Sequence, residues 1–221
     1  MKIIKQQVII ESKINRNQIL KKLETIGRVC YKSEDKITPV SASSFVAGIV
    51  ERGHLSVIEH VSLTVKFVCD RGISHELVRH RIASYSQEST RYCNYGKQNE
   101  ITVIMPGELT TEQEARWSLA VTSAQERYLD LLDLGASPQI ARSVLPTCTK
   151  TEIVATFNLR ELITILSQRT AKNAHPDMQR LMRPLLRYLQ GMLPEIFARV
   201  GEASTVSNEA ELIHHKDDVC L

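Results

Sequence analysis

"TEIVATFNLRELITILSQRT", residues 151–170, changes period at its middle. TEIVATFN (151–158) is rich in β-branched residues and predicts a strand. LRELITILSQRT (159–170) is amphipathic at helical spacing and predicts a helix. Asn158 stands at the junction, where an Asn suits a helix N-cap. A strand running directly into a long helix is the unit to look for elsewhere. IIKQQVII (3–10) predicts a first strand, VSLTVKFVC (61–69) another and EITVIMP (100–106) one more before Pro106. Asn15 is placed to cap a helix from about Arg16 to Tyr31, with Ile19, Leu20, Leu23, Ile26 and Cys30 on one face. Ser41 or Ser43 starts a second helix that ends near Gly53, and ISHELVRHRI (73–82) predicts a short one after Gly72.

Further along, Thr111 and Glu114 form a capping-box pattern for a helix to about Leu134, stopped by Gly135. Ser137-Pro138 restarts a helix that runs up to Pro146. HPDMQRLMRPLLRYLQGMLPEIF (175–197) predicts a last helix, broken or kinked at Pro184. Residues 83–99 hold turn residues with little period and predict a loop, and the polar stretch 202–221 predicts a loose tail. Long helices between few strands indicate an α+β fold, a mixed sheet packed with long helices in one domain over residues 1–201.

Bulk properties narrow the function. The 221 residues are 43% apolar and 24% charged, ordinary for a globular domain. A net charge of +3 with 5% aromatic residues argues against a nucleic-acid binder. No run approaches the apolar length of a membrane span, and MKIIKQQVIIESK (1–13) has no signal-peptide h-region. Cys30, Cys69, Cys93, Cys148 and Cys220 are scattered and odd in number, which reads as reduced thiols in a cytoplasmic protein. No metal site is expected, since His54/His60 and His75/His80 lack the H-E-x-x-H spacing. No cysteine has a local His partner, and neither G-x-G-x-x-G nor a P-loop occurs.

The chemistry gathers in RHRIASYSQESTRY (79–92). Arginine without lysine, hydroxyls in density and a single acid, Glu88, make a donor-rich set suited to phosphate. The alternative is a set of arginines paired with carboxylates of a neighbouring subunit. Arg142 in IARSVLP (140–146) and Arg169 in SQRTAKNAH (167–175) stand on apolar backgrounds, where a cation needs an anion. For each of the two, a buried salt bridge is the competing reading.

RHR followed by seven residues and Ser89 resembles the signature of the flavin-dependent thymidylate synthases, the thymidylate-synthase-complementing proteins. GHLSVIEH (53–60), ARSVLP (141–146) and NLRELITILSQR (158–169) resemble three further blocks of that family, in order over about residues 48–183. The resemblance implies methylation of dUMP to dTMP. It also implies FAD, with NADPH and 5,10-methylenetetrahydrofolate as co-substrates, no cysteine nucleophile, and a homotetramer with composite sites. By position it implies that His54, Ser56, Arg79, His80, Arg81, Gln87, Asn158, Arg160 and Thr164 hold the flavin. It places Glu76, Arg79, Gln87, Glu88, Ser89, Thr90, Arg91 and Arg142 at dUMP, with Glu88 contributing through its backbone. Arg169 falls against the uracil as the catalytic cation. Glu76, Thr164 and Asn173 depart from the residues common in the family, which are Gln, Asn and His. A flavin oxidoreductase of the same fold with another acceptor, a nucleotide-binding regulator and a nucleic-acid module remain as alternatives.

Overall fold

The computed structural model describes residues 1–214. Its main sheet has five strands in the order β4-β6-β3-β2-β7. These are β2 (Gln7–Ile10), β3 (Ser62–Asp70), β4 (Ala83–Gln87), β6 (Lys150–Asn158) and β7 (Glu211–His214). All neighbours pair antiparallel except β2 and β7, which are parallel. A small parallel pair joins β1 (Lys2–Ile4) to β5 (Thr102–Ile104). The helices are α1 (Arg16–Val29), α2 (Ser41–Glu51), α3 (Arg71–Leu77), α4 (Thr111–Asp133), α5 (Pro138–Ala141), α6 (Leu159–Arg169), α7 (Pro176–Met192) and α8 (Pro194–Phe197). The fold is α+β, and no helix among the described residues is long and apolar enough to cross a membrane.

β6 shows why the sheet has an inside. Thr151, Ile153, Ala155 and Phe157 are buried, and the alternate residues are partly exposed, the period-two signature of a half-buried strand. Phe157 meets Phe67 of β3 edge-on, with centroids 6.5 Å apart. α6 and α7 close that face with Leu162, Ile165, Leu166, Leu181, Met182, Leu185 and Leu189, all nearly inaccessible. A second, smaller core gathers Ile101, Val103, Val121, Tyr128 and Ala141 between the small sheet and α4.

Several expectations are met. Asn15 caps α1 by accepting from the Gln18 N–H, and Gly135 takes φ +87 after α4, a left-handed stop that glycine adopts without a Cβ clash. Others need correction. IIKQQVII is two strands, because Lys5 and Gln6 carry the chain from the small sheet into the large one. The capping box is Thr110 with Gln113, one residue before the expected pair. The helix begun at Pro138 is one short turn, followed by a 3-10 turn over Arg142–Val144. Residues 83–99 are not all loop. Ala83–Gln87 forms the edge strand β4, whose half-exposed ladder carries polar residues on both faces.

α7 runs through Pro184 without ending, and the chain turns only at Leu193-Pro194. Burial of five large side chains around Pro184 outweighs the roughly 3 kcal/mol that a mid-helix proline costs. The expected loose tail is tied down as far as His214. Arg183 donates to Ser204 O and Oγ, Arg187 pairs with Glu209, and β7 covers the otherwise open edge of β2. The remainder of the tail, with Cys220, lies outside the described residues.

Candidate active site

α3 stops at Leu77, and the chain turns through Arg79–Arg81 before entering β4. Tyr85 pins that turn: its hydroxyl lies 2.8 Å from Leu77 O and 2.7 Å from His80 O. Within the turn His80 is 7% exposed. The Arg169 Nε–H donates to His80 Nε2 at 3.0 Å. A guanidinium nitrogen can only donate, so Nε2 must be the acceptor and the ring proton sits on Nδ1. Nδ1 faces Glu161 Oε1 at 3.4 Å. Burial, and then the adjacent Arg169 charge, push the His80 pKa down to about 4, so the ring is neutral at pH 7. Burial also raises the Glu161 carboxyl above its usual range.

Arg169 is the hub. Besides His80 it reaches Glu76 Oε2 through Nη1 at 2.8 Å and Glu76 O through Nη2 at 3.1 Å. The ion pair is only partly covered, with side-chain exposures of 20% and 34%. Of the five guanidinium N–H groups, these three contacts leave one on each Nη. The competing salt-bridge reading is therefore half right for Arg169: it has a carboxylate partner and keeps two donors. For Arg142 that reading fails, since the side chain is exposed and donates to the Thr90 hydroxyl at 3.0 Å. Among the described residues Arg79, Arg81, Arg91 and Arg142 form no ion pair.

The second group lies past β4. Gln87 ends the strand, and its amide donates to Ser74 Oγ and Thr151 Oγ1 at 2.8 and 3.2 Å. The Glu88 carboxylate is held by Tyr95 and Lys150, at 2.7 and 3.0 Å. Its N–H is spent on Glu152 O, which corrects the expectation that the Glu88 backbone serves a phosphate through its amide. The next amides, of Ser89 and Thr90, have no acceptor among the described residues. Successive N–H groups without an acceptor thus lie beside exposed Arg91 and Arg142, a donor arrangement of the kind that suits an anion.

The remaining flavin candidates flank the first group. Asn158 caps α6 by accepting from the Glu161 N–H at 2.8 Å, which leaves its amide NH₂ free. Arg160 pairs with Glu59 at 2.6 Å on the surface, so it is not an unpaired cation. Thr164 is exposed and lies 3.4 Å from Arg160 O. His54 takes a 2.6 Å hydrogen bond with the Tyr31 hydroxyl, and Ser56 is exposed beside it.

The two groups do not merge within one chain. β4 pairs with β6 so that Ala83 faces Phe157 and Gln87 faces Ile153. The RHR turn and Asn158 thus sit at one end of the strand, and Ser89–Arg91 at the other. At ~3.4 Å per residue the intervening strand spans roughly 14 Å. Two residues of the site went unseen in the sequence. Glu161 falls in the first turn of the helix predicted over 159–170, and Tyr85 in the stretch 83–99 predicted as a loop. An acid three residues after an Asn cap, in an otherwise apolar helix face, was the available signal for the first; the second had none before the strand was known.

Comparison with known proteins accounts for the pattern. A flavin-dependent thymidylate synthase of Geobacter sulfurreducens is 34% identical over 184 residues, covering 79% of each chain. One of a Mycobacterium sp. (strain JLS) is 35% identical over 200 residues, covering 80% of this chain and 78% of its own. A UMP/dUMP methylase, PolB, from Streptomyces cacaoi shares the fold with TM-score 0.74 at 23% identity, over 90% of this chain and 96% of that one. Thymidylate synthase X from Helicobacter pylori, solved with FAD and dUMP, superposes with TM-score 0.72 at 23% identity over 87% and 97% of the two chains. With residues 14–195 matching the family described as thymidylate synthase complementing protein, and the arginine turn, the Asn-capped helix and the arginine at its end all in place, the chain belongs to that family.

Proposed function

We propose that this chain is a flavin-dependent thymidylate synthase. It methylates dUMP to dTMP with 5,10-methylenetetrahydrofolate as carbon donor and NADPH as reductant. The observation that carries this reading is the Arg169 guanidinium: it is oriented on three sides by His80 and Glu76 and still has two free N–H groups. A fixed cation of that kind stabilises negative charge as it develops on a uracil ring and makes the ring carbon a better nucleophile.

FAD fits the donor set. A pyrophosphate wants unpaired, exposed arginines, and Arg79 and Arg81 are that pair. His80 would hold the flavin as a neutral ring, with Asn158, His54, Ser56 and Thr164 around it. Bound FAD supplies the redox chemistry, carrying reducing equivalents from NADPH. The chain itself binds, orients and neutralises charge. Ser89 and Thr90 amides, with Arg91 and Arg142, take the nucleotide phosphate. Gln87 and Glu88 act mainly by shaping that turn. Cys148 and Cys69 fit a mechanism without a cysteine nucleophile, because burial pushes Cys148 up to about 11 and Cys69 higher still.

The separation of the two groups along β4 supports a composite site, in which the RHR turn of one subunit faces the Ser89–Arg91 turn of another. A homotetramer supplies such pairs. Free thiols at Cys30, Cys69, Cys93 and Cys148 suit a cytoplasmic setting. The test is dTMP formation by purified protein given dUMP, methylenetetrahydrofolate and NADPH, with and without added FAD. Flavin-dependent product is expected. Flavin binding and NADPH oxidation with no dTMP would move the reading to an oxidoreductase with another acceptor.

A further inference from the structure

Away from the arginine turns, a cavity of about 460 Å³ opens where the small sheet meets the N-terminal end of α7. That volume lies within the range of small-molecule sites. Ile4, Ile104, Met105 and Pro106 provide an apolar wall. Lys5 and Arg180 balance Glu114 and Asp177 along the lining, so the cavity has no net charge to satisfy.

Its polar floor is built. Arg180, 3% exposed, donates to Asp177 Oδ1 at 2.6 Å, Glu108 Oε1 at 2.7 Å and Ser207 O at 2.9 Å. Gly107 lets the backbone lie against this guanidinium, for a Cβ there would come within 2.5 Å of Arg180 Cζ. Asn208 closes the margin by donating to Gly107 O at 3.0 Å. Each Arg180 nitrogen thereby has an acceptor, two of them carboxylate oxygens, so its charge calls for no further anion.

Gln6 is the exception. It lines the cavity at the break between β1 and β2, is 6% exposed, and has neither amide atom hydrogen-bonded. Among the described residues nothing answers this donor and acceptor, although leaving a buried polar group unmade costs roughly 1–3 kcal/mol. The group that answers both at once is another amide, through paired N–H···O contacts.

We infer that this cavity is a second binding site, separate from the arginine turns, for a neutral amide-bearing ligand with an apolar body, such as a carboxamide or a lactam heterocycle. Gln6 reads the amide, and the Ile4–Pro106 wall takes the body. The inference does not rest on the thymidylate synthase reading.

Saturation-transfer NMR with benzamide as probe tests it, on protein saturated with dUMP and FAD so that the arginine site is occupied. The expected result is saturation transfer to benzamide that drops at least several-fold in Gln6→Leu, with weaker transfer to toluene and benzoate. Met105→Trp, which fills the cavity from its wall, should give the same loss and serves if Gln6→Leu does not fold. Neither change touches the arginine turns, so dTMP formation should stay at the wild-type rate. No transfer in the wild-type protein would overturn the inference, as when a side chain of a second copy already fills the cavity. Undiminished transfer in both variants, or equal transfer to toluene, would overturn it too.

Discussion

Acidification tests the placement of His80 directly. In the unfolded chain a histidine titrates near 6.5. Folded His80 titrates at about 4, chiefly because it is buried and secondly because Arg169 stands beside it. The folded value is the lower one, so the unfolded chain takes up the proton first. Stability is therefore complete above about pH 6.5 and is lost as pH falls toward about 4. At ~1.36 kcal/mol per pH unit, the gap between about 6.5 and about 4 is worth roughly 3 kcal/mol. Glu161, raised by burial, works in the opposite sense and gains on acidification. The clean measurement is therefore a difference between wild type and His80→Gln, which can still accept from Arg169 and cannot titrate. Melting temperatures taken in steps from pH 7 to pH 4 supply it. At about 2–4 °C per kcal/mol for a chain of this size, the wild type should lose roughly 6–12 °C more than the variant. Parallel decline of the two would refute a buried, neutral His80 held between Arg169 and Glu161.

Three further outcomes are expected. Arg169→Ala should keep bound FAD while dTMP turnover falls ~10²–10³-fold; turnover near that of the wild type would remove Arg169 from the chemistry. Glu76→Gln preserves an acceptor for Arg169 and releases its charge. Because the pair is partly exposed, worth about 0.2–1 kcal/mol, the KM for dUMP should fall by no more than about five-fold, and a hundred-fold loss of turnover in steady-state kinetics would contradict that view of Glu76. Gly201 sits at φ +62, where an added Cβ would come 2.5 Å from Thr170 Oγ1 and 2.9 Å from Leu166 O. Gly201→Ala should therefore cost about 1–3 kcal/mol, read as a lower melting temperature, and an unchanged one would show that the loop gives way.

The residues that were legible share a cause. Asn15 and Asn158 cap helices because a short side-chain acceptor meets the N–H three residues on, a contact contained in a few consecutive residues. β6 and α6 were readable for the same reason, since one face of each is buried and the period shows it. What failed was set by distant chain. Ala83–Gln87 has weak periodicity and becomes a strand only because β6 offers it an edge. Pro184 is carried inside a helix by packing that its neighbours in sequence do not disclose. Residues after 202 looked loose, yet Arg180, Arg183 and Arg187, one helical turn after another, had anchors waiting there.

The candidate site divides along the same line. Residue types in order were enough for a donor-rich set suited to phosphate, and RHR with Ser89 and the Asn158-to-Arg169 helix were enough for the resemblance that implies the family and its flavin chemistry. Which donors are free was not. Tertiary contacts decide that Arg160 is paired with Glu59, that Arg169 is shared between His80 and Glu76 with two N–H groups left, and that Glu161 and Tyr85 hold the turn. The physical reason is that availability depends on burial and on partners far along the chain, 89 residues away for Arg169 and His80, and neither quantity is carried by local sequence.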